Sequence, residues 1–179
     1  MLGSYPLFQH AYFVRDVRNS CEEWSKLFGA GPFVVTEHHK AERFTYRGTD
    51  VEADVTYAFG YLGDLMIQFI QQHDDQPSIY RDMYAEGAEG FHHIAYLVRK
   101  SEWSQAKSRL EAMGFECACE LTAGGVFAAY YDTRSVTGGF TEIHDDSPRI
   151  ISAFASWRHR HQFRQPEEGA IMERPPITS

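Results

Sequence analysis

Two stretches of the chain carry the same apolar and polar pattern. Gly90-Phe91-His92-His93-Ile94-Ala95-Tyr96-Leu97-Val98-Arg99 reads as a buried strand, and Phe8-Gln9-His10-Ala11-Tyr12-Phe13-Val14-Arg15 aligns with it without a gap. Gln9 then falls on His93, Ala11 on Ala95, Tyr12 on Tyr96, Val14 on Val98 and Arg15 on Arg99, at an offset of 84 residues. A helical pattern follows each strand. Val17, Cys21, Trp24 and Phe28 recur at spacings near 3.6 and stop at Gly29, Gly31 and Pro32. Trp103, Ala106, Leu110 and Met113 share one helical face that stops at Gly114. Asp16 and Asn19-Ser20 are suited to cap the first helix.

Alternation then replaces the helical period. Phe33 to Glu37 begins a strand, Arg43 to Arg47 and Glu52 to Tyr61 alternate with Tyr57, Phe59 and Tyr61 on one side, and Gly63-Asp64 turns the chain into Leu65 to Gln71. The second half offers Phe115 to Leu121, a Gly124-Gly125 turn, Val126 to Tyr131, a loop over 132–139, and Phe140 to His144. Each half reads strand, helix, three strands. The expectation is an α+β chain of two βαβββ modules whose mixed sheet curls into a cleft. The first module covers 1–72, a linker with a short helix at Ile79 to Tyr84 covers 73–90, and the second module covers 91–146. Over 147–179 the pattern predicts a helix from Ile150 to Phe163, with Ile151, Phe154 and Trp157 on one face. A Pro-containing tail from Gln165 follows, extended, disordered or laid against a partner subunit.

Composition narrows the classes. At 179 residues the chain holds one domain or two fused modules, and a period of 84 is too long for a solenoid. A net charge of -8 argues against nucleic acid or an anionic membrane as partner. Cys21, Cys117 and Cys119 form no CxxC pair. Cys117 and Cys119 would share one face of a strand, which suits reduced, buried thiols in a cytoplasm. The chain shows no apolar run of about eighteen residues, and its first residues lack the basic and apolar regions of a signal peptide. The expectation is a soluble, cytoplasmic protein.

Strand parity locates the chemistry. Ile94, Tyr96 and Val98 face the helix layer, so His93, Ala95 and Leu97 face the other, concave side. The same parity turns Gln9 and Ala11 inward and sends His10 and Tyr12 to the helix side. Gln68 within Leu65 to Ile70 and Glu142 within Phe140 to His144 are polar residues locked into apolar strands, which is costly unless they are paired or bind a metal. Gln9, Gln68, His93 and Glu142 would be four oxygen and nitrogen donors, two from each module. His10, His92 and His144 are read as turned away from them. Glu37, Glu42 and Glu52 are open candidates for a base, each also readable as a solvated strand residue. Tyr80, Tyr130 and Tyr131 are candidates to line the cleft, with core packing the plainer reading, and His38-His39 and His159-Arg160-His161 are read as solvent-exposed.

These residues resemble a known family. The doubled pattern, the Tyr12 to Asp16 run, Trp24 leading to Phe28-Gly29-Ala30-Gly31-Pro32-Phe33, Ile67-Gln68, Gly90 to Ala95 and Thr141-Glu142-Ile143 are together similar to the vicinal oxygen chelate superfamily, in its glyoxalase-like and methylmalonyl-CoA epimerase-like branch. The resemblance spans roughly residues 8 to 146. It implies one divalent metal, Zn, Fe, Mn, Co or Ni, held by Gln9, Gln68, His93 and Glu142, with Glu142 also catalytic. The implied function is a metal-dependent lyase, isomerase or epimerase. It would polarise a small carbonyl or acyl-thioester substrate through an enolate-like intermediate. Two alternatives stand beside it: an extradiol-type dioxygenase, which needs two histidines and a carboxylate, and a metal-free small-molecule binding or resistance-type protein. A homodimer would cover the open sheet edges.

Overall fold

The structure, a computed structural model, describes residues 2–165 and 167–172. In chain order its elements are β1 (Leu7–Phe13), α1 (Val17–Phe28), β2 (Phe33–Thr36), β3 (Arg43–Tyr46), β4 (Thr49–Asp50), β5 (Val55–Leu62) and β6 (Leu65–Gln72). They continue with β7 (Gly90–Val98), α2 (Trp103–Ala112), β8 (Cys117–Ala123), β9 (Val126–Tyr131), α3 (Arg134–Thr137), β10 (Phe140–Asp145), α4 (Pro148–Gln162) and β11 (Ile171–Met172).

The strands lie in the order β11-β2-β5-β6-β1-β7-β10-β9-β8-β3-β4. β2-β5-β6-β1 and β7-β10-β9-β8 are the same module order run from either side of one seam. At that seam β1 and β7 pair antiparallel within a single chain, with Ala11 opposite His93 and Gln9 opposite Ala95. β6 flanks β1 and β10 flanks β7, both in parallel, which sets Gln68 beside Ala11 and Glu142 beside Ala95. The four central strands are thus β6, β1, β7 and β10, and the repeat in sequence has become a repeat in space.

α1 and α2 cover one side of the sheet. The Asp16 carboxylate accepts the Asn19 N–H at 2.9 Å at the start of α1, and Gly29 closes the helix in the left-handed region at φ 73°. α1 buries Val17 and Cys21 against Ala58, Ile67 and Phe69, with Trp24 packed on Tyr12. α2 buries Ala106 and Leu110 against Val98 and Ile143, but Met113 is 68% exposed instead of continuing that face. The helix ends at Ala112, one residue too early to turn Met113 inward.

Four further expectations are corrected. Arg43–Tyr46 leaves its own module, crosses the cleft and adds to the far edge of the second, with Phe44 opposite Leu121 on β8. The stretch over 73–90 forms turns rather than a helix at 79–84, and it belongs to the core, since Ile79 and Tyr80 are fully buried against Phe13, Phe44 and Tyr57. Cys117 and Cys119 do not share a face. A bulge sets both against Tyr131-Tyr130, so Cys117 packs on the α2 side while Cys119 joins the core beside Tyr57 and Tyr80. The helix expected over 150–163 forms, and in the tail beyond it, expected to be extended, disordered or laid against a partner subunit, Ile171–Met172 instead joins this chain's own sheet. α4 crosses the concave side, with Trp157 stacked on Phe59 at 5.6 Å and Phe154 on Phe8 at 5.3 Å, and β11 then adds in parallel to β2. The tail residues Pro166 and 173–179 lie outside the described residues.

Candidate functional site

Each of the four central strands contributes one buried polar side chain to the concave side, and the four meet. Gln9 Nε2 lies 2.8 Å from Gln68 Oε1, 3.3 Å from Glu142 Oε2 and 3.2 Å from His93 Nε2. His93 Nε2 lies 3.0 Å from Glu142 Oε2. All four side chains are almost completely buried. The parity argument and the symmetric seam together account for this convergence: strands that repeat in register must bring equivalent inward positions to one spot.

A chain of hydrogen bonds fixes which nitrogen of His93 is bare. His92 Nε2 lies 3.2 Å from the Ile79 carbonyl, which can only accept, so that nitrogen carries the proton. Burial, with His93 beside it, holds His92 neutral, so its Nδ1 accepts the proton of His93 Nδ1 at 2.8 Å. His93 Nε2 is left as a lone pair aimed at Glu142. Burial also pushes His93 toward the neutral ring, with His10 adding to the effect. Burial raises the Glu142 carboxyl, against smaller opposing contributions from His144 and from hydrogen bonds with Tyr130 and Gln9. Two lone pairs facing at 3.0 Å repel, a repulsion that the Gln9 amide at 3.2 and 3.3 Å relieves in part and that a proton or a cation between them would remove. The cluster has room in its chemistry for one added positive charge.

Its donor chemistry fits a divalent ion held with modest affinity. One carboxylate, one imidazole lone pair and one amide oxygen point inward, and Gln9 would add a second amide oxygen with its Oε1 turned in. Among the described residues no group of three or more His, Cys, Asp or Glu is placed to hold a metal, so the amides are essential to any such site. The neutral His93, with its second nitrogen donating to His92, is the arrangement a metal-binding imidazole requires.

A cavity of about 410 Å³ opens over the cluster, roofed by α4. Gln9, Gln68 and Glu142 form its floor, and Phe59, Trp157 and Phe154 form much of its apolar wall. Two histidines read from the sequence as lying elsewhere line it. His144 sits two residues beyond Glu142 and so on the same side of β10, against Phe8 and Phe154, a signal already present in the i, i+2 spacing. His39 follows β2 in an irregular stretch where no periodicity assigns a side, and it packs edge-on to Tyr57 at 5.3 Å. Tyr130, expected in the core, is buried, but it lies opposite Glu142 on β9, hydrogen-bonds it, and lines the cavity. His10 stays on the helix side against Phe91. Of the candidate bases, Glu37 pairs with Arg18 at 2.7 Å and Glu42 accepts the Gly124 N–H at 2.8 Å. Neither of them nor Glu52 lines this cavity.

A doubled module, one curled sheet and a polar cluster at its seam define a class. The chain belongs to the Glyoxalase/Bleomycin resistance protein/Dioxygenase superfamily, whose family model matches residues 8–130. Its fold is similar to that of methylmalonyl-CoA epimerase from Mycobacterium tuberculosis, at TM-score 0.58 and 14% identity, covering 82% of this chain and 91% of that one. A hypothetical protein from Bacillus halodurans C-125 superposes at TM-score 0.55 and 19% identity, covering 80% and 95%. A Streptomyces coelicolor methylmalonyl-CoA epimerase in complex with 2-nitronate-propionyl-CoA superposes at TM-score 0.51 and 15% identity, covering 80% and 98%. No curated protein sequence matches the chain. Among the described residues no helix is long and apolar enough to cross a membrane.

Proposed function

We propose that this protein is a lyase, isomerase or epimerase that moves a proton at a carbon next to the carbonyl of a small ketone or acyl thioester, with Glu142 as the group that moves it. The observation that carries the reading is the bare His93 Nε2 lying 3.0 Å from Glu142 Oε2, a residue on the floor of a cavity walled in large part by Phe59, Phe154 and Trp157. Burial makes Glu142 a stronger base than an exposed carboxylate, so it can accept a carbon-bound proton and return it. Tyr130 holds the carboxyl in place through its hydrogen bond. Phe59 and Trp157 keep bulk water from the reacting carbon. Gln9, Gln68, His93 and Glu142 would hold a divalent ion of the Zn, Fe, Mn, Co or Ni kind, which supplies positive charge for the enolate oxygen when bound. A cytoplasmic homodimer that pairs open edges of the sheet is part of the same proposal.

The extradiol reading draws no support from His10, which packs on Phe91 away from the cavity. A metal-free binding protein is the second reading. It is favoured by the way the Gln9 amide nitrogen, with its two hydrogens, already lies within 2.8–3.3 Å of an acceptor on each of the other three side chains.

Solvent deuterium incorporation next to the carbonyl, followed by NMR for ketones and acyl thioesters with added Mn(II), separates the two. The proposal expects Glu142→Gln to slow exchange by about 100-fold or more, the usual range for losing a general base. Exchange at the native rate in that variant would overturn it.

A further inference from the structure

We infer that the compound taken by this cavity carries a single anionic group, a carboxylate of its own, at the end remote from the reacting carbonyl, with an aromatic or otherwise flat apolar body between. The inference rests on the function proposed above and names its substrate class.

The charge of the cavity runs against that of the chain. The whole molecule carries a net charge of -8, yet Glu142 on the floor is the only acid among the described residues lining this space. The two full cations lining it, Lys40 and Arg149, are both exposed, on the loop after β2 and at the start of α4. Among the described residues neither forms an ion pair. The contact that holds Arg149 is Nη1 to the Gly124 carbonyl at 2.9 Å, which leaves the rest of the guanidinium available. Gly124 is shaped for it: a Cβ there would lie 2.3 Å from that nitrogen. The nearby acid, Glu42, just before β3, receives the Gly124 N–H. Between the polar floor and the cationic mouth the walls are Phe59, Phe154, Trp157, Leu121 and Ile150.

A neighbouring cavity limits the size of the anion. It shares His39, Lys40, Tyr57 and Leu121 with the first, but beyond them it presents Glu42, Glu52 and Asp50, with one cation, Arg43, that is already paired with Asp50 at 3.6 Å and with Glu120 at 3.0 Å. A carrier with several phosphates extending from the mouth would run onto these carboxylates. One compact carboxylate between Lys40 and Arg149 would not.

Trp157 lies in the wall, so its fluorescence reads occupancy without catalysis, and a Trp157→Phe variant identifies its signal. The probes are 4-acetylbenzoate, its neutral methyl ester, and phenylacetyl-CoA. The expected result is that the acid quenches Trp157 and binds several-fold more tightly than the ester at low salt. That preference should shrink roughly three- to tenfold in Lys40→Gln/Arg149→Gln, as partly screened ion pairs allow. Equal binding of acid and ester, no quenching by either, or a dependence on the two cations shown by the thioester alone would each overturn the inference. Glu142→Gln separates the two proposals. Loss of exchange with the acid preference intact upholds both, whereas native exchange with the preference intact removes the function and leaves an anion-binding cavity.

Discussion

At the scale of single residues, the site depends on which atom of His93 carries its proton. His92 decides this by accepting from His93 Nδ1 while donating to the Ile79 carbonyl. His92→Phe keeps the flat ring that stacks on Phe140 but cannot accept that proton. It is expected to leave the fold intact and to weaken Mn(II) or Co(II) binding by roughly 10- to 100-fold, the usual effect of removing such a partner. Calorimetric titration of the ion checks this, and native affinity in the variant would show that the neighbour is only packing. Gln9 and His93 were legible in the sequence because strand parity fixes their side of the sheet, and Gln68 and Glu142 because each is a polar residue inside an apolar strand. Tyr130 has the same parity as Ala128, so its side was legible too, but its pairing with Glu142 depends on the register between β9 and β10, which no local pattern contains.

At the scale of elements, β10 must approach β7 closely for Glu142 to reach His93. Gly139, at the entrance to β10, permits it. A Cβ at that position would lie 2.5 Å from the His92 carbonyl oxygen and 2.6 Å from the Phe91 ring. Backbone cannot yield as a side chain can, so Gly139→Ala is expected to cost about 1–3 kcal/mol of stability and to spoil ion binding along with it. Denaturant unfolding beside the ion titration reads both, and an unchanged midpoint would contradict the closeness of the two strands. Strand and helix boundaries were readable to within a few residues because Gly punctuates them. The crossing of β3 to the edge of β8 was not, since alternation reports that a segment is a strand and says nothing about its partner. The bulge at Cys117 to Cys119 escaped for the same reason: it exists only relative to β9.

At the scale of the whole molecule, a charged network keeps the crossing hairpin on the second module. Arg47, just past β3, pairs with Asp82 at 2.6 Å, with Asp132 at 3.3 Å and with Glu116, while Arg134 also holds Asp132 at 2.6 Å. Tyr46 donates to Asp82 at 2.7 Å. Arg134 above all, with Arg47, pulls the Asp132 carboxyl down to about 2. A carboxyl depressed on folding contributes stability at pH values above its unfolded value, near 3.9, and loses it as pH falls toward 2. Asp132→Asn should therefore cost about 2 kcal/mol at pH 7 and progressively less below pH 4, a convergence that thermal unfolding across pH would show. A constant difference at all pH values would mean that Asp132 acts through shape rather than charge.

In the function proposed here, the four-residue cluster at the seam is the seat of both a divalent ion and a proton transfer. The most direct test is ion content per chain, by elemental analysis of protein purified without chelator and then equilibrated with Mn(II), for the native chain, His93→Ala and Glu142→Gln. One ion per native chain, lost in both variants, is the predicted result. No ion in the native chain, or one that stays in both variants, would contradict it and leave the cluster a hydrogen-bonded floor for a bound ligand.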